Sequence, residues 1–317
     1  MLRVAIGPQL PLASWNWVGF DLARELAKYF DVAPFSQRPG TLALNPCDVV
    51  VVVKSLEAAF FRGAKVLYFP IDHYTSLSAI EQDAGLLERC SAIGCHSAAL
   101  VPVFRRRCAR VFAIDHHAKF ALDTLAPYRH EGPILWIGAF EHVPYLLAWC
   151  QRWPLPLPLV ICTNVGHVWG RQQAAALARR LGVPLRPTAT TLNGHKLVPW
   201  CERGQRELLR QAKAAIDIKG GPWLGTDFWW QQVKPPTKAQ QFVASGIPLA
   251  MNPDSHSAAY FQSCGLTLAS PREPDRWLSR PYWDETQRCA AVLRPQWTLE
   301  AVGLQAKAQI EALVGAG

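Results

Sequence analysis

The sequence lacks several features that mark common classes of protein. It has no run of about 20 apolar residues, so no membrane-spanning segment is predicted. Its first residues read as a strand and a loop without the long apolar core of a signal peptide, so no secretion leader is expected. It has neither a P-loop nor a GxGxxG motif after the first strand, which argues against ATP hydrolysis and ordinary nicotinamide chemistry. Its basic residues form no concentrated stripe, so no nucleic-acid partner is expected.

A pattern of paired cysteines is also lacking. The nine cysteines are odd in number, scattered along the chain and without a CxxC pair. Cys90 and Cys95 with His96 come nearest to a metal cluster, but their spacing matches no zinc motif well. These observations predict buried free thiols in a reducing cytoplasm and no bound metal.

What the sequence does have is length, apolar content and positive charge. Its 317 residues exceed what one hydrophobic core usually serves, so two domains are expected. Hydrophobic residues make up 50% of the chain and charged residues 18%, which is the balance of a well-packed globular protein. The formal net charge of +9 favours an anionic partner, such as a nucleotide, a phosphorylated substrate or an acidic membrane surface.

The order of the apolar runs predicts an α/β protein with parallel sheets. In the first part, strands such as LRVAIG, DVVVVV and KVLYFP alternate with helical patterns, and DVVVVV is typical of a strand buried on both faces. The helix predicted over GFDLARELAKYF buries Leu22, Leu26 and Phe30. Further helices of this part are predicted around Ile80–Cys90 and Ala98–Arg107. PILWIGAF opens a second series, in which RQQAAALARRLGV predicts a helix that ends at Gly182 and GLTLAS predicts a last short strand. TLEAVGLQAKAQIEAL predicts a terminal helix. The predicted domains are 1–130 and 131–295, with a helix in 296–317 that returns to the first domain.

The window KPPTKAQQFVASGIPLAMN predicts a helix with an unusually cationic start. Thr237 and Gln240 have the spacing of a capping box, and Gly246 ends the helix before a short buried strand. Lys234 and Lys238 flank the positive pole of this helix. Two cations at a positive pole are unfavourable unless an anion binds there. The window therefore predicts either an anion site or two solvated surface lysines.

Three segments, DIKGG, KPPTKAQQFVASGIPLAMN and ILWIGAF, resemble the two-Rossmann-domain glycosyltransferases of the GT-B fold, and the retaining group 4-like enzymes in particular. The order of elements agrees over nearly the whole chain, and the motifs agree from about Ala215 to Ser255. The resemblance implies two Rossmann-like domains with a cleft between them. It also implies metal-independent, retaining transfer of a sugar from a nucleotide-sugar donor, without a further cofactor. A sugar-nucleotide epimerase of the same fold and a non-catalytic binding protein are the alternatives.

The resemblance further implies which residues hold the donor against the second domain. Phosphate oxygens would meet the helix start and nearby cations, and glycines would let the backbone approach closely. The implied diphosphate-binding residues are Lys219, Gly220, Gly221, Lys234, Thr237 and Lys238. Gln241 stands where the family has a ribose-binding glutamate, and the family's usual pair of glutamates around this helix is absent.

The first domain supplies most candidates for catalysis and for the acceptor. YFPIDHY places Asp72 and His73 at the carboxyl end of a strand, where open α/β sheets bind ligands, and the resemblance makes them the implied catalytic residues. A structural His73 that caps a turn is the alternative. For the loop with two tryptophans, the alternative is an ordinary loop with aromatic anchors. The residues implied for the acceptor or the cleft are Trp15, Asn16, Trp17, His96, His116 and Gly138.

A run of arginines, FRRRCAR, follows a helical pattern in the first domain. It places Arg105, Arg106, Arg107 and Arg110 at a predicted helix C-terminus, where cations complement the helix dipole. The alternative is peripheral docking of a cytoplasmic protein to an acidic membrane that carries a lipid-linked acceptor. The expected partners are thus a nucleotide-sugar donor and a carbohydrate, lipid-linked or other small acceptor.

Overall fold

The computed structural model describes residues 1–11, 15–36, 47–61, 63–218, 220, 229 and 233–315. The chain divides into two compact units, each with a six-stranded sheet. The sequence predicted domain boundaries at 130 and 295, and the two units divide at 119 and 295. The first unit comprises Met1–Lys119, Val233–Pro235 and Gln296–Gly317, and the second comprises Phe120–Gln232 and Pro236–Pro295.

The first unit is built on a parallel sheet. Its strands are β1 (Arg3–Gln9), β2 (Asp31–Ser36), β3 (Val49–Val53), β4 (Lys65–Phe69), β5 (Ala92–Cys95) and β6 (Val111–Ala113). They lie in the order β2-β1-β3-β4-β5-β6, and every neighbouring pair is parallel. All residues of β3 are buried valines, as predicted for a strand covered on both faces. Because β2 and β3 flank β1, the topological switch point lies between β1 and β3.

Most helices of the first unit are short. A π-helical turn at Trp15–Phe20 leads directly into the helix Asp21–Leu26, which is shorter than the helix predicted from the sequence. The predicted buried side chains of that segment are nevertheless buried. Two other predicted helices of this unit are broken into short pieces. Further helices are Leu77–Gln82, Ala84–Leu87, Val101–Phe104 and Leu299–Val314.

The C-terminal helix Leu299–Val314 packs on the first unit, as predicted. Its buried residues Val302, Ala306 and Ile310 recur at helical spacing. They share one hydrophobic core with residues of the Asp21–Leu26 helix and of the central strands. The packing therefore joins the two ends of the chain in a single core.

The second unit has a similar sheet with one added hairpin. Its strands are β7 (Ile134–Gly138), β8 (Leu159–Thr163), β9 (Thr191–Leu192), β10 (His195–Pro199), β11 (Ala214–Asp217) and β12 (Leu249–Met251). They lie in the order β12-β11-β7-β8-β10-β9, and all neighbouring pairs are parallel except β9 with β10. The switch point lies between β7 and β11, because β8 lies on the other side of β7.

The helices of the second unit were predicted in part. They are Val143–Arg152, Val168–Leu181, Glu202–Gln211, Thr237–Ala244, His256–Ser263, Pro274–Trp277 and Arg280–Leu293. Gly182 ends the second of them in a left-handed conformation, as predicted. The three helices after β12 were not predicted. The strand predicted over GLTLAS is reduced to a single bridge between Ala250 and Ala269.

The Thr237–Ala244 helix ends as predicted but begins differently. Gly246 adopts a φ of 71° and closes the helix with the paired backbone hydrogen bonds of a Schellman motif. The predicted capping box is wrong, because Thr237 is already helical and Pro236, at the cap position, makes no side-chain hydrogen bond. Gln240 is fully buried instead of reaching back to a cap.

The cysteines are free thiols, as predicted. None of the nine takes part in a disulfide. Four of them, Cys90, Cys95, Cys108 and Cys162, are buried, whereas Cys201 is exposed. Burial raises the pKa of the Cys90 thiol to about 12 and that of Cys162 to about 12, so these side chains behave as small apolar groups.

Candidate functional site

The carboxyl edge of the second sheet carries an ion pair beside the switch point. β11 ends at Asp217, and Lys238 Nζ lies 2.9 Å from its Oδ1. The side chain of Asp217 is 3% exposed, so this buried carboxylate depends on its cation partner. The side chain of Lys238 is 31% exposed, which leaves part of it accessible to a ligand. Asp217 was not among the residues predicted from the sequence, although an acidic residue at the end of a buried strand indicates a site at the sheet edge.

The indole of Trp136 lies beneath this lysine. Lys238 Nζ is 5.3 Å from the centroid of the Trp136 ring, which is within the range of a cation–π contact. A Cβ added to Gly138 would come within 2.5 Å of the same ring. Gly138, predicted for the cleft, is therefore required by the packing of Trp136. The Trp136 ring therefore packs against Gly138, at the end of β7, and also contacts Lys238.

The start of the Thr237–Ala244 helix adds a positive pole next to the ion pair. The first N–H groups of a helix have no intrahelical acceptor, and this end carries a partial positive charge. Thr237 and Lys238 are the first two helical residues, and both are half-buried. An anion at this point would meet a lysine, a hydroxyl group and a helix pole. Asp217 would be the competing negative charge.

The other residues predicted to bind the diphosphate are less informative. Gly220 is buried at the end of the described part of its segment. Lys219 and Gly221 lie outside the described residues. Lys234 is half-buried and belongs to the first unit. Thr237 and Lys238 are therefore the predicted donor residues that the described structure brings together.

Gln241, predicted to contact a ribose, makes a backbone contact in the structure. Its Oε1 accepts a hydrogen bond from the Phe120 N–H at 2.8 Å. The residue is 3% exposed, and its Nε2 is buried without a partner among the described residues. The carboxamide thus anchors residue 120 to the helix, a role that the sequence did not indicate because the two residues are 121 positions apart.

In the first unit, two of the predicted histidines meet at the carboxyl edge of the sheet. His96 follows β5 and His116 follows β6, and their ring centroids are 4.0 Å apart. Both residues are buried, and Nδ1 of His96 and both ring nitrogens of His116 have no partner among the described residues. Burial lowers the pKa of His116 to about 3, an effect that Asp72 opposes, and burial lowers the pKa of His96 well below its usual value. Both imidazoles are therefore neutral near pH 7.

Asp72 and His73 follow β4, as predicted, but have different surroundings. Asp72 has a φ of 46°, and its carbonyl accepts a hydrogen bond from Lys54 Nζ at 3.3 Å. His73 Nε2 lies 3.7 Å from the Asp83 carboxylate, and its ring packs edge-on against Tyr74. Burial lowers the pKa of His73, and Asp83 opposes this shift. His73 therefore belongs to a separate cluster with Tyr74 and Asp83. The charge of Asp72 instead acts on the buried histidine pair, where it raises the pKa of His116.

The predicted aromatic loop is a π-helical turn tied to the segment after β6. Trp17 Nε1 donates to the carbonyl of His117 at 2.9 Å, and the two rings are 6.2 Å apart. Trp15 is buried, and a Cβ added to Gly19 would overlap its ring. Asn16 is exposed. The two tryptophans thus anchor the loop, which is the alternative that the sequence left open.

A buried carboxylate joins this turn to the same segment. Asp21 Oδ2 accepts a hydrogen bond from Lys119 Nζ at 2.6 Å and lies 3.1 Å from His117 Nε2. Burial lowers the pKa of His117, and Asp21 opposes this shift. Sequence reasoning missed Asp21 and Lys119 because 98 positions separate them. Among the described residues, no three His, Cys, Asp or Glu side chains are grouped so that they could hold a metal ion.

Two of the four arginines of the run make contacts within the protein. Arg107 forms ion pairs with two glutamates, and Arg110 donates to a carbonyl of the C-terminal helix at 3.0 Å. Arg105 and Arg106 are exposed. Apart from the exposure of Arg105 and Arg106, the described residues show nothing that supports the membrane contact considered from the sequence. Within the described part of the chain, no helix has the length and apolar character needed to cross a membrane.

The fold is similar to solved glycosyltransferase structures over its whole length. AviGT4, a glycosyltransferase involved in avilamycin A biosynthesis, matches with a TM-score of 0.61 and 17% identity, over 100% of this chain and 99% of that chain. A glycosyltransferase from Rickettsia africae matches with a TM-score of 0.62 and 10% identity, over 99% and 98%. An E. coli trehalose-6-phosphate structure bound with UDP-2-fluoro glucose matches with a TM-score of 0.61 and 10% identity, over 98% and 99%.

Sequence comparisons add no closer relationship. No protein-family model matches the chain. No curated protein matches it in sequence. The structural similarities, at 17% identity and below, describe the fold and not the chemistry. The chain therefore has the two-sheet α/β architecture of GT-B glycosyltransferases, as the sequence predicted.

Proposed function

We propose that the protein is a glycosyltransferase that moves a sugar from a nucleoside-diphosphate sugar to an acceptor hydroxyl group. The observation that carries the proposal is the Asp217–Lys238 ion pair at the start of the Thr237–Ala244 helix, beside the switch point of the second sheet. Helix N-termini at this edge of parallel sheets are common anion sites. Further support comes from the full-length fold similarity to AviGT4 and to an E. coli structure with bound UDP-2-fluoro glucose.

In this proposal the diphosphate of the donor binds at Thr237 and Lys238. Negative charge grows on the nucleoside diphosphate as the bond to the sugar breaks, so a fixed cation stabilises the transition state more than the ground state. Asp217 and the Trp136 ring hold the lysine at the end of the sheet before the donor arrives. The positive charge opposite the leaving group is then supplied by a side chain and a helix pole, without a metal or other cofactor.

The buried histidine pair is the part of the first unit that we assign to sugar hydroxyl groups. Nδ1 of His96 and both ring nitrogens of His116 have no partner among the described residues, and such buried hydrogen-bonding groups cost free energy while they stay unsatisfied. Because both rings are neutral, they suit uncharged hydroxyl groups better than an anionic group. Asp72 lies near this pair, whereas His73 is assigned to holding Asp83. Retention of configuration, by front-face attack assisted by the leaving phosphate, is taken from the family resemblance.

Calorimetric titration with UDP, GDP, ADP and dTDP tests the donor site. The wild-type protein is expected to bind at least one of them. Lys238→Ala is expected to weaken that binding about tenfold or more, because hydrogen bonds to charged groups contribute roughly 1.5–3 kcal/mol. Lys196→Ala removes an exposed lysine of the same unit and is expected to leave the affinity unchanged. Absence of binding to every nucleotide, or equal affinities for wild type and Lys238→Ala, would refute the proposal.

Product analysis then separates transfer from binding alone. The sugar conjugate of the nucleotide that binds is incubated with a panel of carbohydrate acceptors, and the products are identified by mass spectrometry. We expect a transferred sugar, with slow release of free sugar when no acceptor is present. Recovery of unchanged donor in every reaction would indicate a binding protein. Recovery of its epimer would indicate an epimerase.

A further inference from the structure

A cavity of about 970 Å³ opens at the amino edge of the second sheet. Leu159 begins β8 and His195 begins β10, and both residues line this amino-edge cavity. The Asp217–Lys238 ion pair lies where β11 ends. Because β7, β8, β10 and β11 are parallel, the cavity and the proposed donor site lie at opposite edges of one sheet. Its volume falls within the roughly 300–1,000 Å³ typical of sites for small molecules.

One wall of the amino-edge cavity is the apolar connection between the helix Val143–Arg152 and β8. Residues 153–158 read WPLPLP, so leucines alternate with prolines. In an extended segment this alternation places the leucines on one side, and they are half-buried whereas the prolines are exposed. Leu155 and Leu157 line the cavity together with Leu147 of the helix. Since proline has no N–H, this wall offers hydrocarbon and few backbone donors.

Another wall is the hairpin segment that leads into β10, and it brings a fixed arginine to the cavity. Asn193 holds the backbone of Arg186, because its Oδ1 accepts from the Arg186 N–H at 2.7 Å and its own N–H donates to the Arg186 carbonyl at 3.1 Å. The Arg186 side chain lines the cavity and pairs with no carboxylate of the described chain. His195 is half-buried, and burial lowers its pKa, so its imidazole is neutral near pH 7.

The part of the sequence that forms the cavity has no acidic residue. Residues 142–201 contain six arginines and lysines but neither Asp nor Glu. Every described residue that lines the cavity comes from this segment, so none of them is a carboxylate. A guanidinium group binds carboxylate and phosphate groups through paired hydrogen bonds. The cavity is therefore complementary to a molecule that has an anionic head and a hydrocarbon tail.

We propose that the amino-edge cavity binds a single-chain anionic amphiphile, with its head at Arg186 and its tail against Leu147, Leu155 and Leu157. The inference goes beyond the proposed function, because the cavity lies at the other edge of the sheet from the donor site. An acidic peptide that adds a strand to the hairpin fits less well. The outer segment of the hairpin contains Pro187, which has no N–H for strand pairing.

Calorimetry with octyl phosphate, octanoate, 1-octanol and inorganic phosphate tests the head and the tail separately. Wild type is expected to bind octyl phosphate or octanoate about tenfold or more tightly than 1-octanol, which lacks the charge, and than inorganic phosphate, which lacks the tail. The preferred head identifies the source as a lipid phosphate or a fatty acid. The decyl homologue of the preferred probe is expected to bind about 15-fold more tightly, or about fourfold for each added methylene.

Two variants locate the bound amphiphile. Arg186→Gln is expected to weaken the preferred anionic probe about tenfold or more and to leave the affinity for 1-octanol unchanged. Leu157→Asn is expected to weaken the anionic probe and 1-octanol alike, because both place a tail against this side chain. Arg179→Gln is the matched control, since it removes an exposed arginine of the same acid-free segment that does not line the cavity. The control is expected to bind every probe as wild type does.

Equal affinities of wild type and Arg186→Gln for the anionic probe overturn the inference. Failure of wild type to bind either octyl phosphate or octanoate also overturns it. If a hexaglutamate peptide binds in place of both amphiphiles, the cavity belongs to an acidic peptide instead. If Leu157→Asn abolishes a self-association of wild type and no amphiphile binds, the cavity belongs to a second copy of the chain. The proposed function stands in each of these cases, because nucleotide binding tests it separately.

Discussion

The buried histidine pair predicts a stability that depends on pH in a defined direction. Burial lowers the pKa of His116 to about 3 in the folded protein, whereas a histidine in an unfolded chain has a pKa of about 6.5. Between these values the unfolded chain binds one proton more than the folded protein does. The free energy of unfolding therefore falls as the pH falls below about 6.5. Above that value the buried imidazole does not lower it.

The magnitude follows from the two pKa values. At pH 7 the imidazole is neutral in both states and contributes almost nothing. At pH 5 it is protonated in the unfolded chain alone, which lowers the free energy of unfolding by about 2 kcal/mol. His96 acts in the same direction, because burial lowers its pKa as well. His116→Phe removes one of these two sites and keeps a ring against His96. Between pH 7 and pH 5 the free energy of unfolding of this variant is expected to fall by about 2 kcal/mol less than that of wild type.

Urea unfolding followed by circular dichroism at both pH values measures this difference. His130→Phe changes a histidine at an exposed position and is the control, with the pH dependence of wild type expected. Side-chain NMR of His116 reports its titration directly. The reasoning is refuted if His116 titrates at the ordinary pKa of a histidine. It is equally refuted if wild type and His116→Phe lose the same stability.

Two further substitutions test the second unit. Asp217→Asn keeps the shape of the side chain and removes the charge that competes with a bound diphosphate, so calorimetry is expected to show nucleotide affinity raised about tenfold. Unchanged or weaker binding would argue against an anion beside Lys238. Gly246→Ala places a Cβ at a φ of 71° and within 2.3 Å of Gln287 Nε2, and it is expected to lower the free energy of unfolding by about 1–3 kcal/mol. An unchanged urea midpoint would contradict the described helix end.

Local features of the fold could be predicted because their causes lie within a few residues. Gly182 and Gly246 end their helices in left-handed conformations, which glycine adopts without a steric penalty. The valines of β3 are buried as their continuous apolar run indicated. The turn of the β9–β10 hairpin was equally local, since Asn193 and Gly194 have φ of 53° and 82°, yet the sequence analysis did not identify it.

Other local predictions failed where tertiary packing prevailed. The capping box at Thr237 did not form, because Pro236 stands at the cap position and Gln240, the other residue of the box, is buried within the second unit. The helix predicted over GFDLARELAKYF is replaced by the end of a π-helical turn and the shorter helix Asp21–Leu26, and the turn contacts the segment after β6. In both places a short-range preference is worth about 1 kcal/mol, less than the burial of a large side chain.

The sequence by itself determined the α/β class, the alternation of strands and helices, and the presence of an amphipathic C-terminal helix, because these follow from hydrophobic periodicity. It also indicated a cationic helix start at Lys238. Tertiary structure alone decided the partners of that site. Asp217 meets Lys238 across 21 positions, Gln241 meets Phe120 across 121, and none of these contacts leaves a periodic trace in the chain. Parallel strands bring their carboxyl ends to one edge of a sheet, and the packing of helices and loops on that sheet makes neighbours of residues that are far apart in the chain.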